Sequence, residues 1–342
     1  MGQAGFDCHC PMGVTACTSF LDLSSVRGRK PGRECTRSFT HNHYYKKKIA
    51  LQVGGILLLI MPDKYSAIWV SHSSMGDFLK CPRLYYLHNV YKDPTTKRKI
   101  NIVSPALSLG ITVHQVLEGL GDFPAEERMK RDLLSDFEKA WENVAGEKGG
   151  FQSDEEEKEY KERGVAMLTN VQHDPRFLVN KRIKLPRGEM NPNFYLSEED
   201  NIILNGQVDW LEYLPDDTLH IVDFKTGKNE ETDGSLQLPI YLLLCNALQK
   251  RKVSRASYWY LEADKLVEKE LPDLETAHRD VLEVALRVKE AREKGEYPCS
   301  KGELGCFGCR PFEMIVSKDS KAKYLGVGGF NQDMYMIKNS VD

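Results

Sequence analysis

Three residues near the middle of the chain carry the most direct chemistry the sequence offers: Asp209 in "NGQVDWLEY", and Asp223 and Lys225 in "TLHIVDFKTGK". Both stretches are rich in β-branched and aromatic residues and read as strands, and "LPDD" between them reads as a turn. A hairpin centred near Asp216 sets Asp209 directly across from Asp223, with side chains about 5 Å apart on one face. Lys225 lies on that same face, because strand side chains repeat every second residue. Two like charges held across a sheet repel unless a cation sits between them. A hard divalent ion, Mg²⁺ or Mn²⁺, suits such a pair and keeps waters that a substrate phosphate can replace. One such water is then the nucleophile, and Lys225 orients it or stabilises the charge that builds on phosphorus. On an exposed hairpin the same residues would simply be solvated, since D-x-K alone is a common triplet.

Further residues of interest flank the hairpin. His114 lies in "GITVHQVLEG", an apolar helix on which Leu107, Ile111, His114 and Leu117 share one broad buried face. Glu118, one turn after His114, is either part of the site or an ordinary helix-surface glutamate. Gln237 and Tyr241 in "QLPIY" stand one turn apart on the helix after the D-x-K strand.

The elements that must position these residues follow from patterning. The 342 residues carry a net charge of −3 and are 41% hydrophobic and 28% charged, which describes a globular protein able to bury a large core. That charge gives no global sign of nucleic-acid affinity, so any such binding has to come from a local groove. Residues 1–60 hold eight basic residues against three acidic ones and no sustained period. They read as a disordered leader, or as sequence upstream of a true start at Met61. The apolar run from Lys46 to Met61 is too short for a membrane-spanning helix, which needs about 20 residues, and it lacks a signal-peptide cleavage pattern. No membrane association and a cytoplasmic location are expected.

From Met61 the periodicity predicts a helix capped by Ser71 or Ser73, with Met75, Phe78, Leu79 and Tyr86 at helical spacing, then the helix at 104–120. Two amphipathic helices form an insertion at about 122–175. Strands follow in "RIKLP", "NFYLS", "NIILNGQVDWLEYL" and "TLHIVDFK", then the helix "SLQLPIYLLLCNALQK", a strand pair at "RASYWYLEA" and "LVEKEL", and a helix from Glu275 to Lys294. Residues 61–315 are therefore expected as one α/β domain: a mixed β-sheet core flanked by helices, with a helical N-terminal portion, a C-terminal cysteine cluster, and a tail at 316–342. No Walker-type loop is present, so no ATP-driven motor is expected in this chain. Tyr258, Trp259 and Tyr260 offer stacking platforms for bases, although strand alternation commits half of them to a core.

Taken in order, the S-x-S…C-P opening, the G-x-x-x-H helix, Gly206-x-x-Asp209, D-F-K-T-G, Q-x-x-x-Y and the terminal cysteines resemble the RecB-type branch of the PD-(D/E)XK nuclease superfamily. That branch has a restriction-endonuclease-like core and includes recombination and CRISPR-associated exonucleases that carry an iron–sulfur cluster. The resemblance implies His114, Asp209, Asp223 and the Phe224 carbonyl as metal ligands, Lys225 as the catalytic lysine, and Gln237 and Tyr241 beside the site in contact with DNA. It implies a metal-dependent exonuclease acting on single-stranded DNA or duplex ends, in repair, recombination or CRISPR-type processing, with a helicase or a CRISPR or recombination protein as partner. The alternatives are a catalytically silent scaffold of the same fold that binds DNA or a helicase, and a phosphodiesterase acting on RNA.

Of the nine cysteines, Cys81, Cys306 and Cys309 match the positions where such relatives bind a cluster. The expected cysteine downstream of Cys309 is missing, and Cys299 is the substitute. Four thiolates suit a [4Fe–4S] cluster, favoured by the resemblance, or Zn²⁺ by ligand type. Cys245 in "YLLLCNAL" reads as a core residue.

Overall fold

The turn of the hairpin that carries Asp209 and Asp223 is built from residues that tolerate it. In the computed structural model, which describes residues 50–53, 56–59, 63–186, 191–232 and 234–339, Asp217 takes φ +62°. Leu214 and Thr218 close the turn through Leu214 N–H to the Thr218 carbonyl at 2.9 Å. Asp accepts this left-handed geometry more readily than most residues, because its short side chain bonds locally. Residues 1–49 lie outside the described residues, and with them most of the expected leader.

In chain order, β1 (Ala50–Val53) and β2 (Ile56–Leu59) pair antiparallel. β3 (Ile68–Val70) precedes α1 (His72–Lys80), which Ser71 caps in a reciprocal box with Ser74. Cys81 ends that helix in extended backbone, and Pro82 starts α2 (Pro82–Tyr85). β4 (Ile100–Ile102) leads to α3 (Pro105–Gly119), α4 (Ala125–Arg128), α5 (Leu133–Trp141) and α6 (Asp154–His173). Then come β5 (Asn193–Ser197), β6 (Ile202–Asn205), β7 (Trp210–Tyr213) and β8 (Leu219–Lys225). The chain continues through α7 (Gln237–Leu248), β9 (Val253–Tyr260), β10 (Lys265–Lys269), α8 (Leu274–Lys294), α9 (Arg310–Val316), β11 (Ala322–Val327) and β12 (Asp333–Ile337).

The central sheet has the order β10-β9-β8-β7. β8 pairs antiparallel with β7 and parallel with β9, and α7 makes the crossover that a parallel pair requires. Six of the seven β8 residues are buried, as expected of a strand covered on both faces. On one face, Leu219 and Ile221 join α7 and α8 in the largest apolar core, together with the second sheet β3-β6-β5. On the other, Val222, Phe224, Trp210 and Trp259 pack beneath α3, α5 and α6. The fold is thus mixed α/β with helices on both faces of the central sheet.

Several expectations change. "RIKLP" forms no strand; it meets β7 through a bridge between Arg182 and Glu212 and through the Arg182 guanidinium, 4.1 Å from the Trp210 ring centroid. The strand expected across 201–214 breaks at Gly206, where a Cβ would meet Leu244 Cδ1 at 2.9 Å, so α7 can approach only a residue with no side chain. Residues 316–342, expected as a tail, instead supply β11 and β12. These join β4 in a third sheet of order β11-β12-β4 over a separate core of Cys81, Leu84, Ile100, Cys309 and Phe312. Tyr258, Trp259 and Tyr260 are all buried, so none is a platform for bases. Among the described residues no helix is long and apolar enough to cross a membrane.

Candidate active site and metal centre

The hairpin register is the one the turn predicts. Trp210 pairs with Val222 and Leu211 with Ile221, which puts Asp209 at the position facing Asp223 just beyond the ladder. Asp209 Oδ2 accepts the Phe224 amide at 2.9 Å, a bond that fixes this carboxylate against the neighbouring strand. The amide and carbonyl of a strand residue lie on the same edge, so the Phe224 carbonyl faces the Asp209 side as well.

Asp223 is almost wholly buried, and its partners come from α7 and from its own strand. Its Oδ1 accepts Gln237 Nε2 at 2.6 Å and the Tyr241 hydroxyl at 3.3 Å. Gln237 and Tyr241 reach it together because they stand one turn apart on α7. Lys225 Nζ lies 2.9 Å from Asp223 Oδ2 and 3.2 Å from Glu231 Oε1, and it also donates to Gln237 Oε1. The Tyr258 ring lies beneath the ammonium, its centroid 4.9 Å away. Asp223 Oδ2 nevertheless receives no well-directed hydrogen bond, because Lys225 approaches it as an ion-pair partner only.

His114 on α3 completes the cluster. Its Nδ1 lies 3.5 Å from Asp209 Oδ2 and 3.7 Å from Glu118 Oε1. Donor atoms of His114, Glu118 and Asp209 all fall within 4.8 Å of one another. Glu118 therefore belongs to the site and is not a surface glutamate, and Gln207 holds its other oxygen.

The electrostatics report a surplus of negative charge. Burial alone would lower the His114 imidazole, but the Asp209 and Glu118 carboxylates and the charge of Asp223 outweigh it and raise it to about 10. Burial, and then the Asp209 charge, push the Asp223 carboxyl up to about 7. Burial works against the Lys225 ammonium, yet Asp223 and Glu231 hold it above its ordinary value. A proton on His114 thus stands where a cation belongs. Oxygen donors, one imidazole and a buried carboxylate oxygen with no directed donor fit a hard divalent ion such as Mg²⁺ or Mn²⁺.

A sequence model of the PD-(D/E)XK nuclease superfamily matches residues 69–312, a span that holds every residue of this cluster. The chain belongs to the PD-(D/E)XK nuclease superfamily. Members of this superfamily are nucleases that use divalent metals. No curated protein matched in a search with this chain.

Three residues in or beside this cluster escaped sequence reasoning. Glu231, which pairs with Lys225, sits in the loop before α7, and Gln207 lies in the β6–β7 gap, so neither has a periodic position to betray it. His72 begins α1, where burial and then the Lys225 charge lower its imidazole. Beside the site a recess of ≈ 270 Å³ is lined by polar groups, among them Ser71, Ser73, Asn205 and Gln207, with Tyr241 in its wall.

The third core holds the second cluster. Cys81 stands between α1 and α2, while Cys299, Cys306 and Cys309 come from the loop between α8 and α9. All four sulfurs lie within 4.8 Å of one another, Cys299 included. Four thiolates so gathered form a group able to hold a metal. Burial pushes the Cys309 thiol up to about 12, while the Cys309 amide, acting first, lowers Cys306 to about 7. Cys245 lies apart from them in the largest core.

Proposed function

We propose that this nuclease is a metal-dependent exodeoxyribonuclease that hydrolyses phosphodiester bonds in single-stranded DNA or at duplex ends. The observation that supports this reading is the gathering of four carboxylates, Glu118, Asp209, Asp223 and Glu231, around Lys225 and His114, so that negative charge exceeds positive charge in the cluster. Asp209, Asp223, His114 and the Phe224 carbonyl are the ligands of the divalent ion, and Glu118 stands at its edge. When bound, that ion supplies electrostatic stabilisation of the charge that builds on the attacked phosphate.

The protein's own groups do the rest. The Lys225 ammonium orients the attacking water and faces the developing charge. Glu231 and Gln237 keep that ammonium aimed, and the ion pair with Asp223 keeps it protonated. Gln237 and Tyr241 fix one oxygen of Asp223 and leave the other available. The polar recess beside Tyr241 receives the nucleotide next to the scissile bond.

DNA repair, recombination or CRISPR-type processing is the setting that the family resemblance implies. A helicase, or a recombination or CRISPR protein, is the corresponding partner and would supply the strand opening that this chain has no motor for. At the cysteines, resemblance and geometry diverge: the resemblance implies a [4Fe–4S] cluster, whereas the thiolate spacing suits a single ion.

The test is release of nucleotides from end-labelled single-stranded DNA, duplex DNA and RNA, with Mg²⁺, Mn²⁺ or EDTA, beside a Lys225→Ala variant. Metal-dependent release from DNA ends that the variant loses supports the proposal. Cleavage of RNA alone makes the protein a ribonuclease. No cleavage by folded, metal-loaded protein leaves a scaffold that binds DNA or a helicase without cutting.

A further inference from the structure

The spacing of the four cysteine sulfurs bears on what fits between them. Cys306 Sγ lies 3.7 Å from Cys309 Sγ, and Cys309 Sγ lies 3.8 Å from Cys299 Sγ, with Cys81 inside the same 4.8 Å group. Four sulfurs bound at about 2.3 Å to one tetrahedral zinc stand about 3.8 Å apart, the edge of that tetrahedron. An iron–sulfur cubane puts a separate iron under each thiolate with sulfides between them, which spreads the same four sulfurs to roughly 6 Å. We infer that Cys81, Cys299, Cys306 and Cys309 bind a single Zn²⁺ ion in a closed, structural site and do not hold a [4Fe–4S] cluster.

The surrounding backbone supports a small ion. Three of the four ligands come from one loop, Cys299 to Cys309, which turns tightly around the sulfurs. The Cys306 amide donates to Cys309 Sγ at 3.1 Å and the Lys301 amide to Cys299 Sγ at 3.4 Å, so peptide dipoles already offset thiolate charge. Gly305 holds φ +68°, and a Cβ there would meet Cys309 Sγ at 3.2 Å and Glu313 Oε2 at 2.4 Å. Cys81, Cys299 and Cys309 are buried, and four thiolates leave no open coordination position, so the ion takes no part in hydrolysis. Its work is mechanical: it ties the junction of α1 and α2 to the loop before α9.

The inference is independent of the nuclease reading, because its test measures composition and spectrum. The full-length protein is purified without oxygen from cells supplied with both iron and zinc, then analysed for metals, acid-labile sulfide and visible absorption. About one zinc per chain, no iron and no visible band are expected. Exchange for Co²⁺ should give the intense ligand-field and charge-transfer bands of a tetrahedral tetrathiolate. Cys245→Ala should keep the zinc, whereas Cys299→Ala should lose it. The wild-type composition decides the matter even if the second variant does not fold. About four irons per chain with matching sulfide, either as purified or after anaerobic reconstitution, would overturn the inference. So would a folded protein that holds no metal.

Discussion

The two polar clusters of this chain solve opposite problems with the same kind of part, a group of anionic side chains drawn together. At the cysteines the donors are all alike, three of the four are buried, and they come from chain segments more than two hundred residues apart. At the carboxylates the donors differ, the site opens to a recess, and the scaffold holds the side chains in place before any ion arrives. There β8 and its register fix Asp209, Asp223 and Lys225, and α7 fixes Asp223 from the side. On the zinc proposal, the first cluster takes up its metal to hold two chain segments together. The second has a fold that forces charges together and leaves a metal to relieve them. One site is built for stability, the other at some expense of it.

That contrast is broken most forcefully at Cys309. Cys309→Ser removes a fully buried ligand and is expected to destabilise the protein by on the order of 5 kcal/mol. The measurement is thermal unfolding with and without a thiol-competent chelator. Chelation should lower the wild-type melting temperature and leave the variant unmoved, while omission of Mg²⁺ from the buffer should scarcely affect either.

The mirror-image change is Lys225→Ala. Here kcat should fall about 10²- to 10³-fold, with only a modest loss of stability, because the helix and strand that frame Lys225 keep their packing. A control at Cys245, buried but unconnected to either cluster, separates general core damage from both effects.

What the sequence disclosed follows the same division. The β7–β8 register was legible because the turn residues and the strand period leave few ways to pair. Gln237 and Tyr241 were legible because the helical period brings i and i+4 together. The α3 face was not. Leu107 and Ile111 share the stripe of His114, yet they are 44% and 52% exposed, while Leu109, Val113, Val116 and Leu117 are buried. A helix apolar on two sides has no direction written into its periodicity, so only the neighbours decide which side is covered. The pairing of β4 with β12 lies in contacts more than two hundred residues apart in sequence, for which no local pattern exists. The burial of Tyr258 and Tyr260 depends likewise on α7 and α8 covering the face of β9 that alternation alone left open.

A titration sharpens the comparison next. With no ion bound, His114 keeps its proton to about 10 and Asp223 to about 7. Both values are raised above those of the unfolded chain, so both groups favour the fold most at low pH. The His114 contribution is complete below about pH 6.5 and is lost as pH rises through 10; the Asp223 contribution is complete below about pH 4 and is lost through 7. Metal-free protein should therefore lose stability steadily from pH 4 to 10. Binding of Mn²⁺ must expel the His114 proton, so its affinity should rise about tenfold per pH unit between pH 7 and 9. Calorimetry in buffers of different ionisation enthalpy should record close to one proton released. A pH-independent affinity would remove His114 from the ligand set.

The smallest effect tests whether the misread face of α3 has a use. Leu107 and Ile111 lie on the same stripe as His114 and Glu118, so an exposed apolar strip runs up to the metal ligands. Ile111 is about half exposed, and Ile111→Ser should change stability by less than about 1 kcal/mol. If a DNA strand enters along this helix, unstacked bases would cover the strip, and losing that apolar contact should raise KM about three- to tenfold while kcat stays fixed. The split matters because a residue that merely props up His114 would change kcat as well. A loss of stability without a change in KM would mean that Ile111 is packed by the protein after all. An unchanged KM with unchanged stability would place the DNA path on the other side of the ligands, along the recess lined by Ser71 and Asn205.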